Sequence, residues 1–187
     1  KVPTQTSHNA FADGTLTAHL AQHDTHPGDC FFIPAGRIHS IGAGNFLVEI
    51  QQSSNDTFRV YDFDRTDASG NKRELHVAQA REALDYKAYP EYRTHYEAKD
   101  DCCTVLVACP QFTTRRYALT HPFPSACSGI DSFVIFIAYE GAALLRDAEG
   151  NEVALKAGEA VLFPASNASV TIEPQTPRFA CLDTYCR

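Results

Sequence analysis

The chain has 187 residues and a mass of 20.6 kDa, which suits one ordinary domain or two compact ones. Apolar residues make up 44% of it, so it can bury a core. Its formal net charge of −7 argues against nucleic acid as a partner. Its longest apolar run, 133–139, has the length of a strand and argues against a membrane span.

The chain begins at Lys1 and contains no Met, so we expect a further N-terminal part to precede it in the native polypeptide. No signal peptide is recognisable at its start. The seven cysteines form an odd set without a CxxC motif, which predicts reduced thiols in a cytoplasmic protein. They are Cys30, Cys102, Cys103, Cys109, Cys127, Cys181 and Cys186.

Short runs of strand-forming residues separated by turn residues predict an all-β protein, because such spacing is typical of sandwiches and barrels. The predicted strands are 30–33, 46–51, 57–63, 104–108, 112–119, 133–139, 142–147, 152–155, 160–163, 169–172 and 178–184. Turns are predicted at 27–29, 69–71 and 149–151. Two segments have helical patterns, 14–22 and 74–86, and we expect the second helix to connect two β units.

An internal repeat predicts the domain organisation. Residues 28–36 read GDCFFIPAG and residues 158–166 read GEAVLFPAS. We therefore expect residues 1–86 to hold the first unit with its linking helix, 87–102 a connection, and 103–187 a second, degenerate unit. Five residues after the repeated Pro, the first copy has His39 and the second has Ser169. Chemistry is therefore expected in the first copy and packing in the second.

The pattern G-D-x4-P-x-G-x2-H at 28–39 is similar to the second half of the metal-binding motif of cupins. With the segments 49–54, 57–65 and 73–76, the chain resembles the bacterial short form of type I mannose-6-phosphate isomerases from about residue 14 onward. The resemblance implies an all-β fold of tandem cupin-like jelly-roll (double-stranded β-helix) units with a short connecting helix.

The resemblance also implies a reaction, which is the zinc-dependent interconversion of mannose 6-phosphate and fructose 6-phosphate. It makes His39 a zinc ligand and Arg59 the active-site arginine, with Glu49 beside them as a base or as a residue that orients the ligands. The family's other zinc ligands, among them a His and a Glu, belong to an earlier part of the motif and are expected upstream of Lys1. We therefore expect this chain alone to bind zinc weakly and to be inactive.

The alternation of polar and apolar residues along the predicted strands also supports Arg59 and Glu49 as site residues. On the strand 57–63, Thr57, Arg59 and Tyr61 would share one face, and residues 48–51 alternate in the same way. A polar stripe of this kind suits a cavity in which a guanidinium binds phosphate and sugar oxygens. The resemblance implies a sugar phosphate, a small molecule, as the partner, and this stripe agrees with it.

Some alternatives stay open. Family members usually carry Asp where Asn55 stands, so Asp56 either takes over that role or does not. The chain could instead be a non-catalytic sugar-binding or regulatory cupin, or a cupin iron oxygenase with two His and one carboxylate. A metal site on His19, His23 and His26 is disfavoured because that stretch runs into a Pro-Gly turn.

Overall fold

The computed structural model describes residues 15–54, 56–127, 129–166 and 169–186. The chain divides into an N-terminal unit, Lys1–Arg93, and a C-terminal unit, Thr94–Arg187. The division falls inside the predicted connection 87–102, and the assignment of the two units as two cupin copies stays a prediction.

The C-terminal unit consists of two antiparallel sheets. Its strands are β1 (Cys102–Ala108), β2 (Phe112–Leu119), β3 (Phe123–Ala126), β4 (Val134–Glu140), β5 (Ala142–Asp147), β6 (Glu152–Lys156), β7 (Ala160–Phe163), β8 (Ser169–Pro174) and β9 (Phe179–Cys186). One sheet has the order β1-β2-β9-β4-β7 and the other β3-β8-β5-β6. The predicted mostly β class is thus confirmed. The sequence prediction missed β3, an edge strand whose Pro124 breaks the usual strand pattern.

The two sheets of the C-terminal unit enclose one apolar core. Alternate residues point inward in β4, where Val134, Phe136 and Ala138 are buried and the two residues between them are half-buried. Leu145 of β5 and Ile172 of β8 are buried in the same cluster. The period of two along the sequence therefore places the core between the sheets.

The N-terminal unit contains a 3-10 helix, Leu16–His19, and the α-helix α1, Val77–Ala83. Both lie inside the predicted helices and are shorter. The strand predictions at 30–33, 46–51 and 57–63 are wrong, because in the described part of this unit only an isolated bridge, Thr66 to Lys72, is formed. A strand needs a hydrogen-bonded neighbour, and these segments are irregular with many exposed side chains.

The repeated Gly-acid turn, in contrast, forms in both copies. In the first, the Asp29 carboxylate accepts the His26 N–H at 3.0 Å, and the glycine between them has φ 93°. In the second, the Glu159 carboxylate accepts the Lys156 N–H at 2.9 Å, and the glycine has φ 89°. A left-handed φ favours glycine, which explains why both copies carry it.

Two further features of the fold are the state of the cysteines and the length of the helices. None of the seven cysteines forms a disulfide, as the sequence predicts, and Cys109, Cys127 and Cys181 are buried. Within the described ranges, the longest helix is far too short to cross a lipid bilayer.

Candidate functional site

The segment that leads to His39 is anchored on the end of α1. Gly36 has φ 83°, and its carbonyl oxygen accepts the Asp85 N–H at 2.8 Å. A Cβ atom at Gly36 would lie 2.6 Å from the Ala83 carbonyl oxygen, so a larger residue cannot take this position without movement. The Pro-Ala-Gly turn is therefore fixed against the helix three residues before His39.

His39 lies in an exposed position beside a shallow pocket. Its Nδ1 is 3.0 Å from the Arg37 carbonyl oxygen, so a hydrogen bond there places the proton on Nδ1 and leaves a lone pair on Nε2. An imidazole in this tautomer can bind a metal or accept a proton. The pocket is lined mainly by apolar side chains; its described residues are Leu16, Thr17, Leu20, Ile38, His39, Ser40, Val60, Tyr61 and Phe63.

Arg59 is fixed through its backbone. Its N–H donates to Nδ1 of His76 at 3.2 Å, and its carbonyl oxygen accepts the His76 N–H at 2.7 Å. Its guanidinium Nη1 donates to the Glu74 carbonyl oxygen at a long 3.4 Å. The other guanidinium N–H groups make no hydrogen bond within the described residues. Arg59 therefore has a fixed main chain and donors that can bind a ligand.

A buried carboxylate holds the same region together. Asp62 accepts the Arg73 Nε at 2.8 Å and also pairs with Nη2 of Arg73 and with Arg65. Hydrogen bonds from Arg73 first, and then Arg65, hold the pKa of Asp62 far below its usual value despite its burial. We call residues 59–76 the Arg59 hairpin, because segments 59–62 and 73–76 face each other across a turn at 67–71.

The turn of the Arg59 hairpin is built from local hydrogen bonds. The Asp67 carboxylate accepts the Ser69 N–H at 2.8 Å and the Asn71 N–H at 2.9 Å. Gly70 has φ 82°, and its N–H donates to the Asp67 carbonyl oxygen at 3.0 Å. These bonds explain the turn that the sequence predicts at 69–71.

Within the described residues, Glu49 forms no hydrogen bond or ion pair with His39 or Arg59. It is exposed, and the described lining of the pocket includes neither Glu49 nor Arg59, although Val60 lines it. Val48 and Ile50 are half-buried while Glu49 and Gln51 are exposed, so the predicted alternation holds here without a sheet. The roles predicted for His39, Glu49 and Arg59 stay predictions.

Alternation fails on the segment 57–63, where Phe58 is 44% exposed and Tyr61 is 38% exposed. An irregular backbone does not point successive side chains to opposite faces as a strand does. Asp56 is exposed and bonds only locally, its N–H donating to Ser54 Oγ at 3.2 Å. Asn55 lies outside the described residues.

The described residues do not fit a zinc site. In the described ranges, no three His, Cys, Asp or Glu side chains lie close enough together to hold a metal ion. His23 packs with its ring centroid 5.6 Å from that of Tyr92, and His26 belongs to the turn with Asp29. His39 would need donors from beyond the described residues to bind zinc.

The C-terminal unit contains a buried polar network that sequence reasoning missed. Arg115 Nε donates to Asp183 at 2.8 Å, and the Tyr117 hydroxyl donates to the same carboxylate at 3.0 Å. Ser125 Oγ lies 2.8 Å from the Tyr117 hydroxyl. Burial raises the pKa of Tyr117 far above its usual value. Every polar group named here has a partner, so the network is structural.

Parts of this chain resemble known proteins in sequence. No protein-family model matches it. Mannose-6-phosphate isomerase ManA of Bacillus subtilis strain 168 is 40% identical over 96 residues, which are 50% of this chain and 30% of that protein. YvyI of the same strain, also named for this isomerase activity, is 32% identical over 149 residues, which are 79% of this chain and 46% of that protein. The chain thus spans less than half the length of either relative.

A solved structure agrees with the sequence comparison. The crystal structure of the mannose 6-phosphate isomerase from Bacillus subtilis matches 68% of this chain and 39% of its own, with a TM-score of 0.52 and 25% identity. By sequence and by fold, this chain is therefore similar to mannose-6-phosphate isomerases over the part of their length that it spans.

Proposed function

We propose that this chain forms part of an aldose-ketose isomerase that interconverts mannose 6-phosphate and fructose 6-phosphate. The observation that carries the proposal is the fixed main chain of Arg59, combined with a guanidinium that is largely uncommitted to protein partners. The relatives named for this activity, over half of this chain or more, support the same substrate.

The reaction moves a proton between C1 and C2 of the sugar and passes through an enediolate. A guanidinium suits this chemistry because it stabilises developing negative charge on oxygen or anchors a phosphate group. We assign one of these roles to Arg59. Glu49 is the candidate acid-base group or a residue that orients the ligands, and both roles stay open.

Zinc enters the proposal only through His39. We propose His39 as one zinc ligand, because its tautomer leaves Nε2 available. The remaining donors would come from outside the described residues, and no chemical step is assigned to the metal here. A zinc analysis of the dialysed 187-residue chain measures this directly, with substoichiometric metal as the expected result.

The test uses the native polypeptide that carries this sequence, assayed for isomerisation of mannose 6-phosphate. Arg59→Ala should lower kcat/KM by about 100-fold or more, as the loss of one oxyanion donor does. Arg59→Lys should rescue poorly, because it keeps the charge but loses the planar fork. Arg146→Ala, in the C-terminal unit, is the matched control and should leave turnover unchanged. Normal turnover in both folded Arg59 variants would refute the proposal.

A non-catalytic sugar-binding or regulatory cupin is the second candidate. Two observations favour it: the described residues lack a metal-binding cluster, and Glu49 is absent from the described pocket lining. The native polypeptide would then bind mannose 6-phosphate in calorimetry without converting it, even with zinc added. Turnover above the uncatalysed rate excludes this candidate.

A further inference from the structure

His76 faces the main chain of Arg59 across the Arg59 hairpin. The two residues exchange two hydrogen bonds, Arg59 N–H to His76 Nδ1 at 3.2 Å and His76 N–H to Arg59 carbonyl at 2.7 Å. Segment 73–76 makes two further contacts with segment 59–62: Glu74 carbonyl with the Arg59 guanidinium, and Arg73 with Asp62. The position of the Arg59 main chain therefore depends on the hydrogen bonds that residue 76 accepts and donates.

We infer that His76 is a positioning residue for Arg59, holding its main chain through the Nδ1 acceptor so that the guanidinium is presented to the sugar phosphate. The inference rests on the proposed function. Sequence reasoning assigned no role to His76, because its bond to Arg59 joins residues 17 positions apart in the chain.

The geometry specifies one state of the imidazole. A backbone N–H is always a donor, so Nδ1 must carry a lone pair and the neutral ring must carry its proton on Nε2. The Glu74 carboxylate lies 4.0 Å from that nitrogen, and the other charged groups of segments 59–62 and 73–76 are the Arg59 guanidinium, Asp62 and Arg73. An acceptor at the position of Nδ1 is therefore what this bond requires of residue 76.

Two substitutions distinguish the contribution of the Nδ1 acceptor of His76 from that of the size of its ring. His76→Asn keeps an acceptor oxygen near the position of Nδ1, whereas His76→Gln places its amide near the position of Nε2. We expect His76→Gln to lower kcat/KM by about 10- to 100-fold and His76→Asn to retain most of it, because a small misplacement of a binding group is costly. Equal losses in both variants, with folding intact, would overturn the inference.

A double substitution tests whether the effect passes through Arg59. If His76 acts only by positioning that residue, Arg59→Ala with His76→Gln should cost no more activity than Arg59→Ala alone. Additive losses would show that His76 acts elsewhere and would overturn the inference.

Nuclear magnetic resonance separates a failure of this inference from a failure of the proposed function. The chemical shift of the Arg59 amide should stay close to its wild-type value in His76→Asn and change in His76→Gln, which lacks an acceptor at the position of Nδ1. An Arg59 amide that is unchanged in His76→Gln overturns the inference whatever the enzyme assay shows. A changed amide together with fully active Arg59→Ala would instead refute the proposed function, and with it the positioning role.

Discussion

The segments 26–36 and 156–166 start from the same sequence pattern and form the same turn, with the acidic carboxylate accepting an N–H three residues earlier. After the turn they differ. Residues Ala160–Phe163 become β7 and pair with residues 134–137 of β4, whereas residues 30–33 pair with no described strand. The turn depends on neighbours in the sequence, and the strand depends on a partner far along the chain. The repeated sequence pattern therefore determines the turn, but it does not determine whether the residues after the turn form a strand.

Burial differs in the same way between the two units. In the C-terminal unit, Phe136, Leu145 and Ile172 are completely buried. Among the described residues of the N-terminal unit, Leu16 and Ala80 are the buried apolar ones. Because apolar burial is the main stabilising contribution to folding, we expect most of the stability to come from the C-terminal unit.

The largest effect is expected from the buried network of the C-terminal unit. Asp183→Ala removes a fully buried carboxylate and leaves Arg115, whose side chain is 13% exposed, without its counter-ion. The loss of one partner of a buried pair costs about 3–5 kcal/mol in the free energy of unfolding. Urea unfolding followed by circular dichroism measures it. Glu152→Ala breaks the more exposed pair with Arg146 and serves as the control, with an expected cost of about 1 kcal/mol or less.

Gly141→Ala should destabilise the C-terminal unit by about 2–4 kcal/mol, combining overpacking with backbone strain. Gly141 has φ 69°, and an added Cβ would overlap the Arg178 carbonyl oxygen and Thr176 Oγ1. Gly150 has φ 88° with no neighbour within 4 Å of an added Cβ, so Gly150→Ala isolates the strain alone. If thermal unfolding shows equal losses in both variants, the close approach at Gly141 contributes nothing.

Stability should fall at alkaline pH. Burial raises the pKa of the Cys181 thiol, so the folded state keeps a proton that the unfolded state loses. Such a group stabilises the fold below the ordinary thiol pKa of about 8.5, and above it the free energy of unfolding falls by about 1.4 kcal/mol per pH unit. Burial also raises the pKa of the Cys127 thiol and of the Tyr117 hydroxyl. Urea titrations from about pH 8 to about pH 10.5 measure the slope.

Cys181→Ala is the control for the alkaline prediction, since the variant lacks this thiol and should show a shallower slope. The exposed Cys186 provides the matched substitution, and Cys186→Ala should leave the slope unchanged. A slope that is identical in all three proteins would contradict the assignment to Cys181.

The smallest effect is expected in the N-terminal unit. Phe46 is 83% exposed, so Phe46→Ser removes little buried apolar surface and should change the free energy of unfolding by about 0.5 kcal/mol or less. Urea unfolding of this variant beside Phe136→Ala, with an expected loss of about 3–5 kcal/mol, sharpens the contrast between the units. A large loss for Phe46→Ser would mean that this side chain is covered in solution.

Much of this molecule could be predicted from sequence patterns whose causes are local. The strands Phe112–Leu119, Ala142–Asp147 and Ala160–Phe163 match their predicted ranges, because alternating apolar residues and flanking turns specify them. The turns at 69–71 and 149–151 follow from an Asp three positions before a Gly, whose carboxylate accepts N–H groups two and four positions later. The family resemblance of segments 28–39 and 57–65 also identified His39 and Arg59 as candidates.

The tertiary structure was needed wherever the interacting groups are distant in the chain. Asp183 meets Tyr117 across 66 positions, and neither residue has a local pattern that indicates the pair. His76 meets Arg59 only because the turn at 67–71 brings the two segments together. A strand, a buried ion pair and a positioned arginine all require a specific partner, and the energy of that contact exists only once the chain has folded.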